Sequence, residues 1–357
     1  MFSVENVGEF NLFFPSEDIV HDCYEKLKYG RSQNEAFLAS FVADEKLPVK
    51  ITGSYIHAHG PDYYGTPTLN YTVADWEKLF KDMLSRGIDT AVFQASLWHE
   101  LSECYYPSEY FKSEYRQWNI IEPMLEAAQN CTMKIILGAY GSAIGWLSAP
   151  DEKAVRKEID RQLHCIKELF KYKDKFDGIY FSPETAFHGE RNAHKEKMLN
   201  TIYREYFSVL KELAPEKPIA ISPGSLFCQS MQEHFLDYWM ALLENVPLDI
   251  LMPQDSIGTW GCSLVNQKTM WQFWRKVADA KGITLWSHTE IFERQHFRGK
   301  GDFTAASPER VIAQLHNLAP FVEKCICFEY PYFANNAPKA QVLKEKIFPI
   351  MSQTKQK

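Results

Sequence analysis

Short apolar runs recur along the chain, and each is followed by a stretch whose apolar positions repeat every three or four residues. In the run 176–185, Ile179, Phe181 and Pro183 share one parity, and Gly178, Tyr180, Ser182 and Glu184 share the other. Strand side chains alternate between faces, so this run predicts a buried strand whose small or polar face ends at Glu184. Comparable runs stand at 50–57, 89–96, 134–140, 177–184, 218–222, 249–254, 283–290 and 324–330. Eight strands about 30–45 residues apart, each with a helical stretch behind it, predict an α/β fold, a (β/α)8 barrel.

The intervening stretches carry helix signals. Thr72 can cap a helix with Val73, Trp76, Phe80, Met83 and Leu84 on one face and Gly87 near its end. Val155, Ile159, Leu163, Ile166 and Phe170 make a second such face. Ser307 followed by Pro308 is a start signal, with the proline at the first helical position. Residues 266–281 and 338–348 also read as helical. A doubly wound open sheet would also alternate strands and helices, but it usually shows a glycine-rich phosphate turn after an early strand, and none is present. No fixed-period repeat points to a helical solenoid. Residues 1–48 do not fit the rhythm: a helix at 17–28, a polar break at 30–34 and one more short apolar segment predict an extension packing on a barrel of residues 49–357.

Composition narrows the function classes. The formal net charge of -7 offers no basic footprint for nucleic acid. No apolar run is long enough to span a membrane, and the N-terminus lacks the basic and apolar regions of a signal peptide, so a cytoplasmic location is expected. The eight cysteines are scattered without a metal-type CxxC pair and read as free, buried thiols, with Cys325 and Cys327 placed on the inward face of the last strand.

In such a barrel the active site lies at the C-terminal ends of the strands. The inward parity there offers Tyr55 and His57, Gln94 and Ser96, Tyr140, Glu184, Gln254, His288 and Glu290, and Glu329, with Asp255 at the loop edge. Pro183, Pro223 and Pro253 each stand one residue before a site-facing position, ending the ladder and fixing φ just before it. Glu184 and Glu290, on the fourth and seventh strands, lie almost across the barrel. Glycosidic bond cleavage needs such a pair, one carboxyl to protonate the leaving oxygen and one carboxylate opposite. The apolar, hydroxyl-lined strand before Glu184 favours a raised pKa and the acid/base role; His288 is placed to hold Glu290 ionised as nucleophile. Trp98, Tyr140, Trp146, Trp260, Trp286, Tyr330 and Tyr332 fall at or after strand ends, where aromatic faces can stack on sugar rings. The loops 57–65 and 141–150 are expected to wall the cleft. His57, His59, His288, Asp255 and Glu329 include metal-ligand types, but no HExxH pair appears, and neither a metal nor another cofactor is expected.

At these strand ends the sequence resembles a known family. The segments Ile51-Thr-Gly-Ser54, Asp177-Gly-Ile-Tyr-Phe-Ser-Pro-Glu184, Ala220-Ile-Ser-Pro223, Pro253-Gln-Asp-Ser-Ile-Gly258, Leu285-Trp-Ser-His-Thr-Glu-Ile-Phe292 and Phe328-Glu-Tyr330 carry the likeness. Together they look like domain of unknown function 4434, a group of glycoside-hydrolase-like TIM barrels, many from gut bacteria. The likeness covers roughly residues 49–350 and departs at Ser256, where a glycine is expected, and at His288, where an asparagine is expected. It implies a barrel with a carbohydrate-active site and leaves the substrate undefined.

The combined expectation is a glycosidase for a small oligosaccharide or glycoside, with Glu184 as general acid/base and Glu290 as nucleophile. Gln254, Asp255, His288, Tyr140 and Glu329 are expected to hold sugar hydroxyls, with Tyr55, His57, Gln94, Trp146 and Trp286 as further substrate contacts. A carbohydrate-binding barrel without catalysis and a metal-dependent sugar isomerase or lyase are the alternatives. Neither a nucleic-acid nor a membrane partner is expected.

Overall fold

The structure, a computed structural model, describes residues 17–42, 47–60, 66–147, 149–187, 189–225, 232–259, 261–295, 303–335 and 337–351. Eight parallel strands close into a barrel: β1 (Ile51–Ile56), β2 (Thr90–Phe93), β3 (Lys134–Gly138), β4 (Gly178–Phe181), β5 (Ile219–Ile221), β6 (Ile250–Leu251), β7 (Thr284–Glu290) and β8 (Lys324–Phe328). Each pairs with its sequence neighbours, and β8 closes on β1. The helices on the outside are α1 (Glu17–Ser40), α2 (Val73–Ser85), α3 (Ile121–Cys131), α4 (Glu152–Leu169), α5 (Ala193–Leu213), α6 (Gln232–Leu242), α7 (Leu264–Lys281), α8 (Pro308–Leu318) and α9 (Pro338–Ile347). The predicted caps are in place: Thr72 forms a capping box with Asp75 before α2, and Ser307 accepts from Arg310 N before α8.

Two apolar layers hold the barrel. Inside it, Tyr55, Val92, Ile136, Tyr180, Ala220, Ile250, Met252 and Ile326 fill the bore. The opposite parity, including Leu137, Ile179, Phe181, Ile221 and Leu285, packs outward under the helices. The strands are shorter than the apolar runs. β4, β5 and β6 stop before Pro183, Pro223 and Pro253, whose missing N–H ends the ladder. Their carbonyls still take part: Pro223 O accepts from Gln254 N at 2.9 Å, and Pro253 O accepts from His288 N at 3.0 Å.

Three expectations are corrected. The break at 30–34 does not exist: α1 runs through it, and Gly30 lets the helix lie against the backbone of Gly261, where a Cβ would come within 1.6 Å of the carbonyl oxygen. On β8 the parity is reversed, with Ile326 and Phe328 facing the bore and Cys325 and Cys327 packed outward. Both parities of that strand are apolar; the larger side chains fill the bore beside Tyr55 and His288, and the thiols fit the tight space under the helices. Tyr140 does not continue the inward parity of β3. Ser96 N donates to both Gly138 O and Ala139 O at 2.9 Å, an irregularity that turns Tyr140 outward onto Phe111 and His99.

Gly138 is what permits this turn, because a Cβ there would meet Gln94 O at 2.1 Å. Gly138→Ala is expected to destabilise the fold by about 3 kcal/mol, the upper end for overpacking. Urea unfolding checks this, and a loss below about 0.5 kcal/mol would show that the β2–β3 contact yields easily.

Candidate active site

Glu184 stands just beyond β4, held by its neighbours on both sides. Thr185 Oγ1 lies 2.8 Å from Tyr203 OH of α5, and Gly224 N donates to Thr185 O at 2.8 Å. From the other side the turn Ile144–Trp146 lies on the Glu184 backbone. Gly145 makes this approach possible, since a Cβ would sit 1.8 Å from Glu184 O. The result is a narrow cleft bordered by Trp98 and Trp146, with Gln94, Glu100, Ser182 and Glu184 supplying polar groups. Gln94 Oε1 and Ser182 Oγ are buried without a hydrogen-bond partner among the described residues.

Glu184 Oε1 accepts from Gln254 Nε2 at 2.7 Å. Its carboxyl is pushed up to about 7, chiefly by burial, against the Gln254 hydrogen bond and with a further push from the Glu290 charge. Gln254 also lies 3.4 Å from Ser222 O and bridges to the β7 backbone at His288. It therefore positions Glu184, a role different from the expected grip on a sugar hydroxyl.

Glu290 ends β7 on the inward parity and is 2% exposed. Its carboxylate is held by donors: Gly258 N at 2.6 Å and Thr259 N at 2.7 Å to Oε2, and Thr259 Oγ1 at 2.6 Å to Oε1. Burial raises its pKa, while these bonds and the charge of Arg310 oppose the rise. Arg310, on α8, donates to Glu290 O at 3.0 Å and Phe292 O, fixing the end of β7. The two glutamates thus differ in kind, one with a single amide donor and a pKa near 7, the other with three donors and a nearby cation.

Several expected contacts sit elsewhere. Asp255 is fully buried, accepting from Gln314 at 2.6 Å, Gln267 at 3.3 Å and Glu290 N at 3.3 Å; it braces β7 from behind. Burial first, then the Glu290 charge, pushes its carboxyl up to about 7. His288 does not hold Glu290. Its Nδ1 lies 2.8 Å from Ser222 Oγ, its ring stacks on Tyr55 at 4.2 Å, and burial lowers its pKa to about 3, so it is uncharged. Tyr55 lies in the bore with its hydroxyl near Met252, forming the floor beneath the site. Trp286 pairs with Lys324 at the N-terminal end of β8 and is remote from the strand tips. Tyr140 faces outward as described. Glu329 is fully buried, and burial holds its pKa well above the usual range, opposed by a hydrogen bond from the His57 backbone. His57 is buried edge-on to Trp98 at 4.6 Å, beside the cleft. Tyr330 and Tyr332 donate to Asp82 and to His57 O. Trp260 and the tip 61–65 of the first loop lie outside the described residues.

Among the described residues no group of three or more His, Cys, Asp or Glu is arranged to hold a metal ion, and His59 is bound to Glu103 at 2.6 Å. No described helix is long and apolar enough to cross a membrane. Ser256, where a glycine was expected, has φ 53°, in the left-handed region that favours glycine.

Glu100, Ser142, Thr259, Arg310 and Gln314 were not anticipated. All come from loops or helices, and nothing in strand parity marks them. Behind the cleft, Glu158 of α4 accepts from Ser142 Oγ at 2.9 Å and Gln162 Nε2 at 2.9 Å, and burial pushes its carboxyl up to about 7. A carboxyl whose folded pKa is raised contributes stability fully present below its unfolded pKa and lost as pH rises through about 7. Glu158→Gln removes that dependence. Its melting temperature relative to the parent is expected to rise between pH 5 and pH 8.5, by the equivalent of about 3 kcal/mol. Calorimetry at the two pH values is the check; a constant difference would place the Glu158 pKa near its ordinary value.

The sequence profile of the family described as domain of unknown function (DUF4434) matches residues 51–342. No curated protein matches the chain. Among solved structures, one described as a putative alpha-L-fucosidase from Bacteroides thetaiotaomicron VPI-5482 superposes with a TM-score of 0.68 at 20% identity, covering 86% of this chain and 96% of that one. The endo-beta-1,4-mannanase from Thermotoga petrophila superposes with a TM-score of 0.52 at 11% identity, covering 84% of this chain and 76% of that one. At these identities the likeness is one of fold. The profile covers most of the chain, from β1 into α9, and the protein belongs to the DUF4434 family.

Proposed function

We propose that the protein is a glycoside hydrolase acting on a small oligosaccharide or glycoside by a two-carboxylate mechanism with retention. The observation that carries this reading is Glu184: a carboxyl poised near pH 7 in a cleft with two tryptophans and two unpartnered polar groups. Protonated Glu184 gives its proton to the glycosidic oxygen as the bond to the anomeric carbon breaks. Glu290, kept closer to ionised by its donors, attacks that carbon from the other face. Forming the ester removes the Glu290 charge, which is one of the causes raising the Glu184 pKa. Glu184 then becomes the stronger acid, left ionised to take a proton from the water that releases the sugar. The Gln254 amide, which favours the ionised form, supports this second half. The fold shared with proteins named as a fucosidase and a mannanase agrees with the reading and weighs only as an analogy of fold.

One observation favours a second reading, a carbohydrate-binding barrel without hydrolysis: both Glu290 oxygens are already bonded to the turn at Gly258 and Thr259. A panel of aryl glycosides followed by proton NMR separates the two. Release of a sugar whose first-formed anomer matches the substrate supports the retaining hydrolase; an opposite first anomer makes it an inverting one. Binding of sugars without release of any aglycone supports the second reading.

A further inference from the structure

The cleft beside Glu184 has an uneven balance of hydrogen-bonding groups. Its charged lining groups are two carboxylates, Glu100 and Glu184, and no Lys, Arg or His is among the described lining residues. Glu100 is fixed in place, since its Oε1 accepts the Ala143 N–H at 2.7 Å. Ser142 is already engaged with Glu158. Gln94 and Ser182 are only 5% and 6% exposed, and Gln94 Oε1 and Ser182 Oγ have no partner among the described residues. A buried polar atom left unbonded costs free energy, so these two atoms call for a ligand that supplies hydrogen bonds. Gln94 Oε1 and an ionised carboxylate accept; Ser182 and the protonated Glu184 carboxyl can do either. A sugar hydroxyl or an ammonium can donate to them. A carboxylate or sulfate on a sugar only accepts, and above about pH 7 it would stand against the Glu184 charge and that of Glu100, whose carboxyl burial also raises, inside a low-dielectric cleft.

We propose that the cleft selects glycosyl units that are neutral or carry an amine and turns away uronates and sulfated sugars, with Glu100 as the residue that sets the selection. This rests on the glycoside-hydrolase reading of the same site and names its substrate class. Trp98 and Trp146 add apolar lining that does not distinguish charge, so charge and donor capacity decide among sugars of similar shape.

The test uses the wild-type protein and Glu100→Gln, titrated by ligand-observed NMR with methyl glycosides of gluco, galacto and manno configuration in both anomers. Each sugar is used as the parent, the 2-amino-2-deoxy form and the uronate. The parent or amino sugar of at least one configuration is expected to bind about tenfold more tightly than its uronate. The gap should narrow at high salt, which screens like-charge repulsion, and narrow again in Glu100→Gln. The salt series is read on the wild-type protein and stands even where the variant fails to fold. A uronate that binds as tightly as its parent overturns the proposal, as does absence of binding by every parent and amino sugar. An unchanged gap in folded Glu100→Gln removes Glu100 from the selection. Failure of the hydrolase reading is read separately, as no aglycone release by the wild-type protein from any aryl glycoside, a result that leaves the order of binding untouched.

Discussion

Replacing Glu184 by Gln is expected to lower kcat/KM on an alkyl glycoside by about 10³–10⁴-fold, the upper part of the usual contribution of a positioned acid/base. That corresponds to about 4–5.5 kcal/mol of transition-state stabilisation. Gln keeps the shape of the side chain in the cleft and loses the transferable proton. The loss should depend on the leaving group. A 2,4-dinitrophenolate departs without a proton, so its release as the glycosyl-enzyme forms should be nearly normal, while turnover stalls for want of a base. Added azide, which attacks without general-base help, should restore turnover. The pH profile gives an independent reading. The active form is the protonated acid, and its pKa is raised to about 7, so the wild-type rate should fall as pH rises through about 7. The variant should lose that limb. A folded Glu184→Gln protein that retains the alkyl-glycoside rate within about tenfold would remove Glu184 from the acid/base role.

Glu290→Ala is expected to have the larger effect on rate, about 10⁵-fold, in the range found when a nucleophile is removed. It also tests the competing structural role. The substitution leaves the Gly258 and Thr259 N–H groups and the Thr259 hydroxyl without their acceptor. At about 1–3 kcal/mol per unsatisfied buried group, partly relieved by water entering the space, a loss of about 2–4 kcal/mol is expected. Melting curves therefore come before kinetics. In the folded variant, azide or formate entering the vacated space should restore cleavage and yield a product of inverted configuration. A folded variant with unimpaired activity would make Glu290 a clamp for the turn at Gly258 and Thr259 and nothing more.

Much of the frame was legible in the chain. All eight strands fall within the predicted runs, because alternating strand and helix signals repeated eight times leave few architectures open. Glu184 was legible for a local reason: a small and polar parity ending in a carboxylate is costly to bury without use. What parity could not show was where it fails. Ser96 bonded to two successive carbonyls turns Tyr140 outward, and β8 is apolar on both faces, so its register rests on side-chain volume in the bore. His288 and Asp255 have the right residue types, yet their roles follow from three-dimensional partners, Ser222 for one and Gln267 and Gln314 for the other. Glu100 and Ser142 reach the cleft from loops, whose course no periodicity records.

The helix α1 carries a last consequence. The family profile begins at residue 51, beyond α1, yet α1 is fastened to the segment that follows the Glu290 turn. Asn34 accepts from Leu264 N at 2.7 Å and donates to Cys262 O at 3.2 Å, while Phe37, Leu38 and Phe41 cover Ile257, Leu264 and Ala313. The boundary of the shared sequence is therefore not the boundary of the cooperative unit. A chain shortened to the family limits would lay bare an apolar surface next to the turn that holds Glu290, and would be prone to self-association. The segment before β1, though outside the family profile, therefore helps to decide how firmly the Glu290 turn is held.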